Sequence, residues 1–101
     1  MKWYKVCGVD EIPLMGARNL KYNGLEIAIF KLSDGRIKAV ENRCPHKGGS
    51  LSEGIVSGDT VICPMHGLKI SLTDGSALPP DEGKVQTYEI KKEDEKVWIG
   101  I

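Results

Sequence analysis

Long apolar runs are missing from this sequence. The longest wholly apolar stretches, such as Ile27 to Phe30, are a few residues, far short of the roughly 20 that cross a bilayer as a helix. The opening Met-Lys-Trp-Tyr-Lys-Val leads straight into alternation and lacks the apolar core of a secretory signal. No membrane partner is expected, and the cytoplasm is the expected location. An excess of either charge is missing too, since fourteen basic and fourteen acidic residues cancel. Phosphate binding runs on a basic stripe, so nucleic acid is excluded as a partner. Cysteine is limited to three, and in a reducing compartment an odd count reads as two with a chemical task and one spare. The spare is Cys7, expected as a small buried hydrophobe in a strand. Histidine is scarcer still, with two in the chain.

What is present is period-two alternation. It occurs at Trp3 to Val9, Leu25 to Leu32, Arg36 to Glu41, Thr60 to Cys63, Leu68 to Leu72, Val85 to Ile90 and Lys96 to Ile101, and it predicts short strands. Between them stand Tyr-Asn-Gly at 22 to 24, Ser-Asp-Gly at 33 to 35, Ser-Gly-Asp at 57 to 59, Thr-Asp-Gly at 73 to 75 and Lys-Glu-Asp-Glu at 92 to 95. Asn or Asp before Gly suits the tight turns of antiparallel hairpins. No helical run competes, so the chain reads as all-β. Its 101 residues suit one domain. Most of the Gly, Pro and Ser falls between Arg43 and Gly83, which predicts a subdomain inserted into a base formed by residues 1–42 and 84–101. Trp3 and Trp98 are expected to pack the base sheets, and Leu51 to lie in the core under the inserted loops.

Both histidines and two cysteines are concentrated in two knuckles, Cys44-Pro-His46 and Cys63-Pro-Met-His66, with sixteen residues between them. That spacing holds a strand, a turn and a strand, and such a hairpin returns its ends side by side. Two thiolates and two imidazoles make a metal-ligand set, with prolines stiffening each loop and glycines where the backbone must turn. Tetrahedral zinc accepts two cysteines and two histidines, but its usual fingers group like with like. Here each knuckle supplies one of each, which suits two different metal ions, one held by both sulfurs and the other by both imidazoles. No nucleophile with its base and no carboxylate pair in an evident pocket remains after these four residues are assigned.

The run C-P-H-K-G-G-S-L-S-E-G at 44 to 54 and C-P-M-H-G at 63 to 67 resembles the Rieske iron–sulfur motif, and the likeness extends over nearly the whole chain, including I-P-L-M-G-A-R at 12 to 18. The resemblance implies a single Rieske domain over residues 1–101: three small antiparallel sheets, with a [2Fe-2S] cluster carried by the 43–83 subdomain. It assigns Cys44 and Cys63 to one iron and His46 and His66 to the other. Within that group the chain is most similar to the small subunit of assimilatory NAD(P)H nitrite reductase, through residues 43 to 59, K-I-S-L-T-D-G at 69 to 75 and P-D-E-G-K-V-Q-T-Y at 80 to 88. The implied partner is a large subunit with flavin, siroheme and a cubane cluster; the chain alone would catalyse nothing. Two alternatives accompany this reading, a ferredoxin of a ring-hydroxylating dioxygenase and a non-redox subunit holding zinc or a vestigial cluster.

In high-potential Rieske proteins two further cysteines bridge the ligand loops, and a Ser and a Tyr donate to the cluster sulfurs. The matching positions here are Gly49, Met65, Leu68 and Ile70, none of which can do so. A cluster of low potential follows, with the outer imidazole edges of His46 and His66 expected as the docking tip.

Overall fold

The computed structural model describes residues 1–45, 49–64 and 67–101. Nine strands are described: β1 Trp3–Gly8, β2 Ala17–Tyr22, β3 Leu25–Lys31, β4 Ile37–Glu41, β5 Ile55–Ser57, β6 Thr60–Ile62, β7 Lys69–Ser71, β8 Thr87–Glu93 and β9 Lys96–Gly100. Two single-turn 3-10 helices, Val9–Glu11 and Leu51–Glu53, are the described helical elements. Every strand pairing is antiparallel. No described helix is long and apolar enough to cross a membrane.

The strands form three ladders, two of which share β8. Thr87 and Tyr88 pair with β4 while Glu89 to Glu93 pair with β9, so the base runs as one six-stranded sheet in the order β1-β9-β8-β4-β3-β2. Its two edges curl toward each other. The Tyr22 hydroxyl on β2 donates to that of Tyr4 on β1 at 3.0 Å, with ring centroids 5.0 Å apart. That hydrogen bond, assisted by burial, holds the Tyr22 phenol above its ordinary pKa, so the donor stays protonated. The third ladder, β5-β6-β7, is inserted between β4 and β8.

Tight turns join the hairpins of this sheet. The β2–β3 loop is two residues, Asn23 at φ 49° and Gly24 at φ 82°, the mirror-type turn whose twist matches that of flanking strands. The β8–β9 turn has the same form, with Asp94 at φ 53° and Glu95 at φ 60°. The charged run at 91 to 96 is therefore mostly strand, with a turn of two residues.

Strand β3 explains the short apolar run at 27 to 30. All four of its residues are fully buried, because the strand has a core on each face. Ile27 and Ile29 join Val97, Ile99 and the Cys7 thiol inside the curled base. Ala28 and Phe30 face the inserted sheet and pack with Val56, Val61 and Ile70. A strand covered on both sides reads as continuous apolar sequence rather than alternation.

Two strands, β2 and β5, carry no alternation to announce them, although the spacing of the knuckles calls for a strand where β5 lies. Both are sheet edges: β2 is largely polar, with Arg18, Asn19 and Lys21 exposed, and β5 has three residues in a Gly- and Ser-rich stretch. The tryptophans lie on the terminal strands of the base, as expected, but outside both core clusters. Trp3 is 37% exposed and Trp98 half-buried. They lie instead around the Lys91 ammonium, 4.7 Å from the Trp3 ring centroid and 5.8 Å from that of Trp98, within cation–π range. Cys7 and Leu51 are buried as expected.

Candidate metal centre

The cysteines of the two knuckles occupy equivalent places. Cys63 follows β6 directly, and Cys44 lies three residues beyond the end of β4. Both are fully buried and belong to the same apolar cluster, with Phe30, Leu51, Leu68 and Ile70. The hairpin β5–β6 lies between them in sequence, as the spacing predicts.

The backbone closes each knuckle in the same way. Cys44 N–H donates to the Gly49 carbonyl at 2.7 Å, and Cys63 N–H donates to the Leu68 carbonyl at 2.7 Å. Each loop is thus pinned at its neck by a bond from residue i to residue i+5. In the second loop Gly67 N–H also returns to the Cys63 carbonyl at 3.0 Å. Gly67 has φ 68°, a left-handed backbone that a side chain would strain. His46 and His66 lie outside the described residues, as does Met65. Among the described residues no group of three or more His, Cys, Asp or Glu gathers elsewhere.

The described part of the donor set fits an iron–sulfur centre. Two thiol side chains share one solvent-inaccessible apolar cluster, and thiolate is the soft ligand such a centre uses. The neighbours at positions 68 and 70 are buried leucine and isoleucine, so no hydroxyl from these positions reaches toward sulfur. Cys7 sits in the other core. Burial raises its thiol pKa, leaving it protonated and unreactive at neutral pH.

The inserted sheet is joined to the base by polar contacts as well as by its core. In the β3–β4 turn, Asp34 accepts from Arg36 Nε at 2.7 Å, and the Arg36 guanidinium also reaches Asp59 in the β5–β6 turn. A bond from the Arg36 backbone N–H, then its side chain, holds the Asp34 carboxyl below its usual range. Asp59 in turn accepts from Leu72 N–H through its carbonyl at 2.7 Å. Beyond β7 the chain folds back, with Val85 N–H on the Gly75 carbonyl at 2.9 Å. A Cβ at Gly75 would stand 2.2 Å from the Val85 carbonyl oxygen, so this return tolerates only glycine.

Sequence reasoning overlooked Asn42, the one buried polar side chain among the described residues. Its position two residues before Cys44 is visible in the sequence, but its contact with Ser52 depends on how the first knuckle folds back.

The profile of the family described as the Rieske [2Fe-2S] domain matches residues 2–89. Over 98 residues the chain is 38% identical to the 3-phenylpropionate/cinnamic acid dioxygenase ferredoxin subunit of Photorhabdus laumondii, covering 95% of this chain and 91% of that one. Among solved structures, one resembling it is a chain in the complex of reduced oxygenase and oxidised ferredoxin of carbazole 1,9a-dioxygenase. The TM-score is 0.86 at 27% identity, over 97% of this chain and 92% of that one. Another is a candidate NADH-dependent nitrite reductase small subunit from Mycobacterium tuberculosis, with TM-score 0.88 at 26% identity over 97% and 93%.

Proposed function

Because the chain belongs to the Rieske [2Fe-2S] domain family, whose two-iron cluster is its cofactor, we propose that it passes single electrons into an assimilatory NAD(P)H nitrite reductase as the small subunit. Cys44 and Cys63 hold one iron of the cluster, and His46 and His66 hold the other and form the docking tip. Residues 43–83 act as the cluster-bearing subdomain, and the protein works in the cytoplasm, where reduced nicotinamide is available. When bound, the cluster supplies one-electron chemistry. The protein contributes a dry, apolar housing and two closed loops, and the catalysis belongs to the larger oxidoreductase it serves.

The observation that carries the nitrite reductase reading is the segment at 80 to 84. Asp81, Glu82, Gly83 and Lys84 are exposed, yet the segment is held to the inserted sheet. Ala77 N–H donates to the Gly83 carbonyl at 2.9 Å, and Leu78 N–H donates to the Lys69 carbonyl of β7 at 2.9 Å. An exposed, anchored loop beside the cluster-bearing sheet is a surface that a partner can read. Its sequence, P-D-E-G-K, belongs to a stretch through which the chain resembles nitrite reductase small subunits. A second reading, a ferredoxin for a ring-hydroxylating dioxygenase, is favoured by the 38% identity to the Photorhabdus subunit.

Reoxidation of the dithionite-reduced protein separates the two. The expected result is rapid anaerobic reoxidation by a siroheme-containing large subunit that depends on nitrite. Reoxidation that instead requires a terminal oxygenase, its aromatic substrate and dioxygen would transfer the protein to the second reading.

The apolar residues at 68 and 70 also set an expectation for potential. Hydrogen bonds to cluster sulfur stabilise the reduced, more negative state. Without them the midpoint should fall near the bottom of the Rieske range of about −150 to +300 mV. A mediated redox titration monitored by EPR measures it. A midpoint in the upper half of that range would contradict the apolar environment described for the site.

A further inference from the structure

The first knuckle leaves the base sheet at Asn42 and returns through the 3-10 helix Leu51–Glu53. A three-residue turn centred on Asn42 marks the departure, with Arg43 N–H on the Glu41 carbonyl at 2.9 Å. Asn42 N–H donates to the Glu26 carbonyl at the start of β3 at 2.8 Å, so the backbone at this point is anchored to the base. The return is less well secured by its own residues. Ser50, at the start of the 3-10 helix, makes no side-chain cap, and the first N–H groups of any helix lack partners within it.

The Asn42 side chain supplies the missing partner from across the knuckle. Its Oδ1 accepts from Ser52 N–H at 2.8 Å, and its Nδ2 faces Asn19 Oδ1 on β2 at 3.4 Å, a long and weaker contact. One amide therefore joins the departure of the loop to its return and ties both to the neighbouring strand. The element it caps carries Leu51, which is fully buried in the cluster that contains Cys44 and Cys63. A polar group buried to 8% exposure is costly unless its hydrogen bonds are made; the shorter of these bonds holds the return of the first knuckle and the longer one reaches β2.

We propose that Asn42 is a positioning residue for the iron–sulfur centre: by bonding Ser52 it fixes the distance from the end of β4 to the Leu51–Glu53 turn and so holds Cys44 and Leu51 in register with Cys63. This inference rests on the assignment of Cys44, His46, Cys63 and His66 to the cluster. Groups that orient metal ligands typically cost about 10- to 100-fold in metal affinity when removed. Loosening the span should also spread the ligand geometry, which EPR reads as broadened lines.

The test compares reduced-state EPR line shape and the half-life of the visible cluster absorption in the wild-type protein, Asn42→Ala, Asn42→Asp and Val97→Ala. Asn42→Ala is expected to broaden the signal and lose its cluster about tenfold faster. Asn42→Asp keeps the acceptor for Ser52 N–H and, kept as the neutral acid by burial, can donate its hydroxyl to Asn19 Oδ1 in place of Nδ2, so it should restore both properties. Val97 lies in the other core, so Val97→Ala should lower thermal stability while leaving line shape and cluster half-life unchanged. Wild-type values for Asn42→Ala would overturn the proposal, as would Asn42→Asp behaving like Asn42→Ala. If Asn42→Ala does not accumulate as folded protein, the Asn42→Asp comparison decides alone. A wild-type protein with no rhombic signal would defeat the cluster assignment itself, an outcome separate from failure of the Asn42 role.

Discussion

Cys63→Ser is expected to yield protein without visible absorption, without a reduced-state EPR signal and with little bound iron. Cys63 is fully buried among apolar side chains, so a serine there offers a harder oxygen that must shed its proton in a medium that disfavours charge. No other described cysteine stands ready to substitute, because Cys7 belongs to the opposite core. Cys7→Ser is accordingly expected to retain full iron and signal. The consequence for folding should be local. Metal binding at such a site is folding free energy, on the order of 10 kcal/mol for structural metal centres, and the inserted sheet has only three strands of three residues. Hydrogen exchange should show β5, β6 and β7 losing protection in Cys63→Ser, while the ladder of β1, β9 and β8 keeps it. Iron and signal retained by Cys63→Ser would remove Cys63 from the ligand set. Stoichiometric zinc in the wild-type protein, with no EPR signal after dithionite, would instead favour a structural subunit.

Phe30→Ala should destabilise the protein by about 3–5 kcal/mol, a large share of the roughly 5–15 kcal/mol that holds a typical domain folded. Phe30 is the largest fully buried side chain among the described residues, and it projects from β3 into the cluster shared with Val56, Val61, Ile70, Cys44 and Cys63. Its loss leaves a cavity at the joint between base and inserted sheet, where both layers would have to move to close it. For a domain of about this size the expected fall in Tm is on the order of 12–40 °C. Far-UV circular dichroism and bleaching of the cluster should report the fall together, since the same ring supports the base strand and the cysteine pocket. A fall in the circular dichroism transition alone, with bleaching unmoved, would show that the cysteine pocket does not depend on Phe30.

The cofactor class was legible in the sequence because it resides in residue types at fixed intervals. Two knuckles with one cysteine and one histidine each specify a donor set before any fold is known. The all-β class was equally legible, since alternation and Asn-Gly or Asp-Gly turns are local signals. The edges were not: β2 has few apolar residues to alternate, and β5 is too short for a periodic pattern. The tryptophans do lie on the terminal strands of the base, but their common partner was not legible, for a related reason. Composition ranks Trp as core material, but the outer face of the terminal ladder offered a lysine between two rings instead.

By itself, the sequence determined the candidate donor types, their spacing across a hairpin, the apolar side chains at positions 68 and 70 and the antiparallel character of the strands. Only the tertiary structure decided which faces those strands present to each other. It made β3 a strand with two cores, brought the sheet edges together at Tyr4 and Tyr22, put Cys44 and Cys63 in one apolar cluster and set the Asn42 amide against Ser52. The physical reason is range. Turn and strand preferences act over a few neighbouring residues, whereas burial and the pairing of buried polar groups depend on which distant segments share a space.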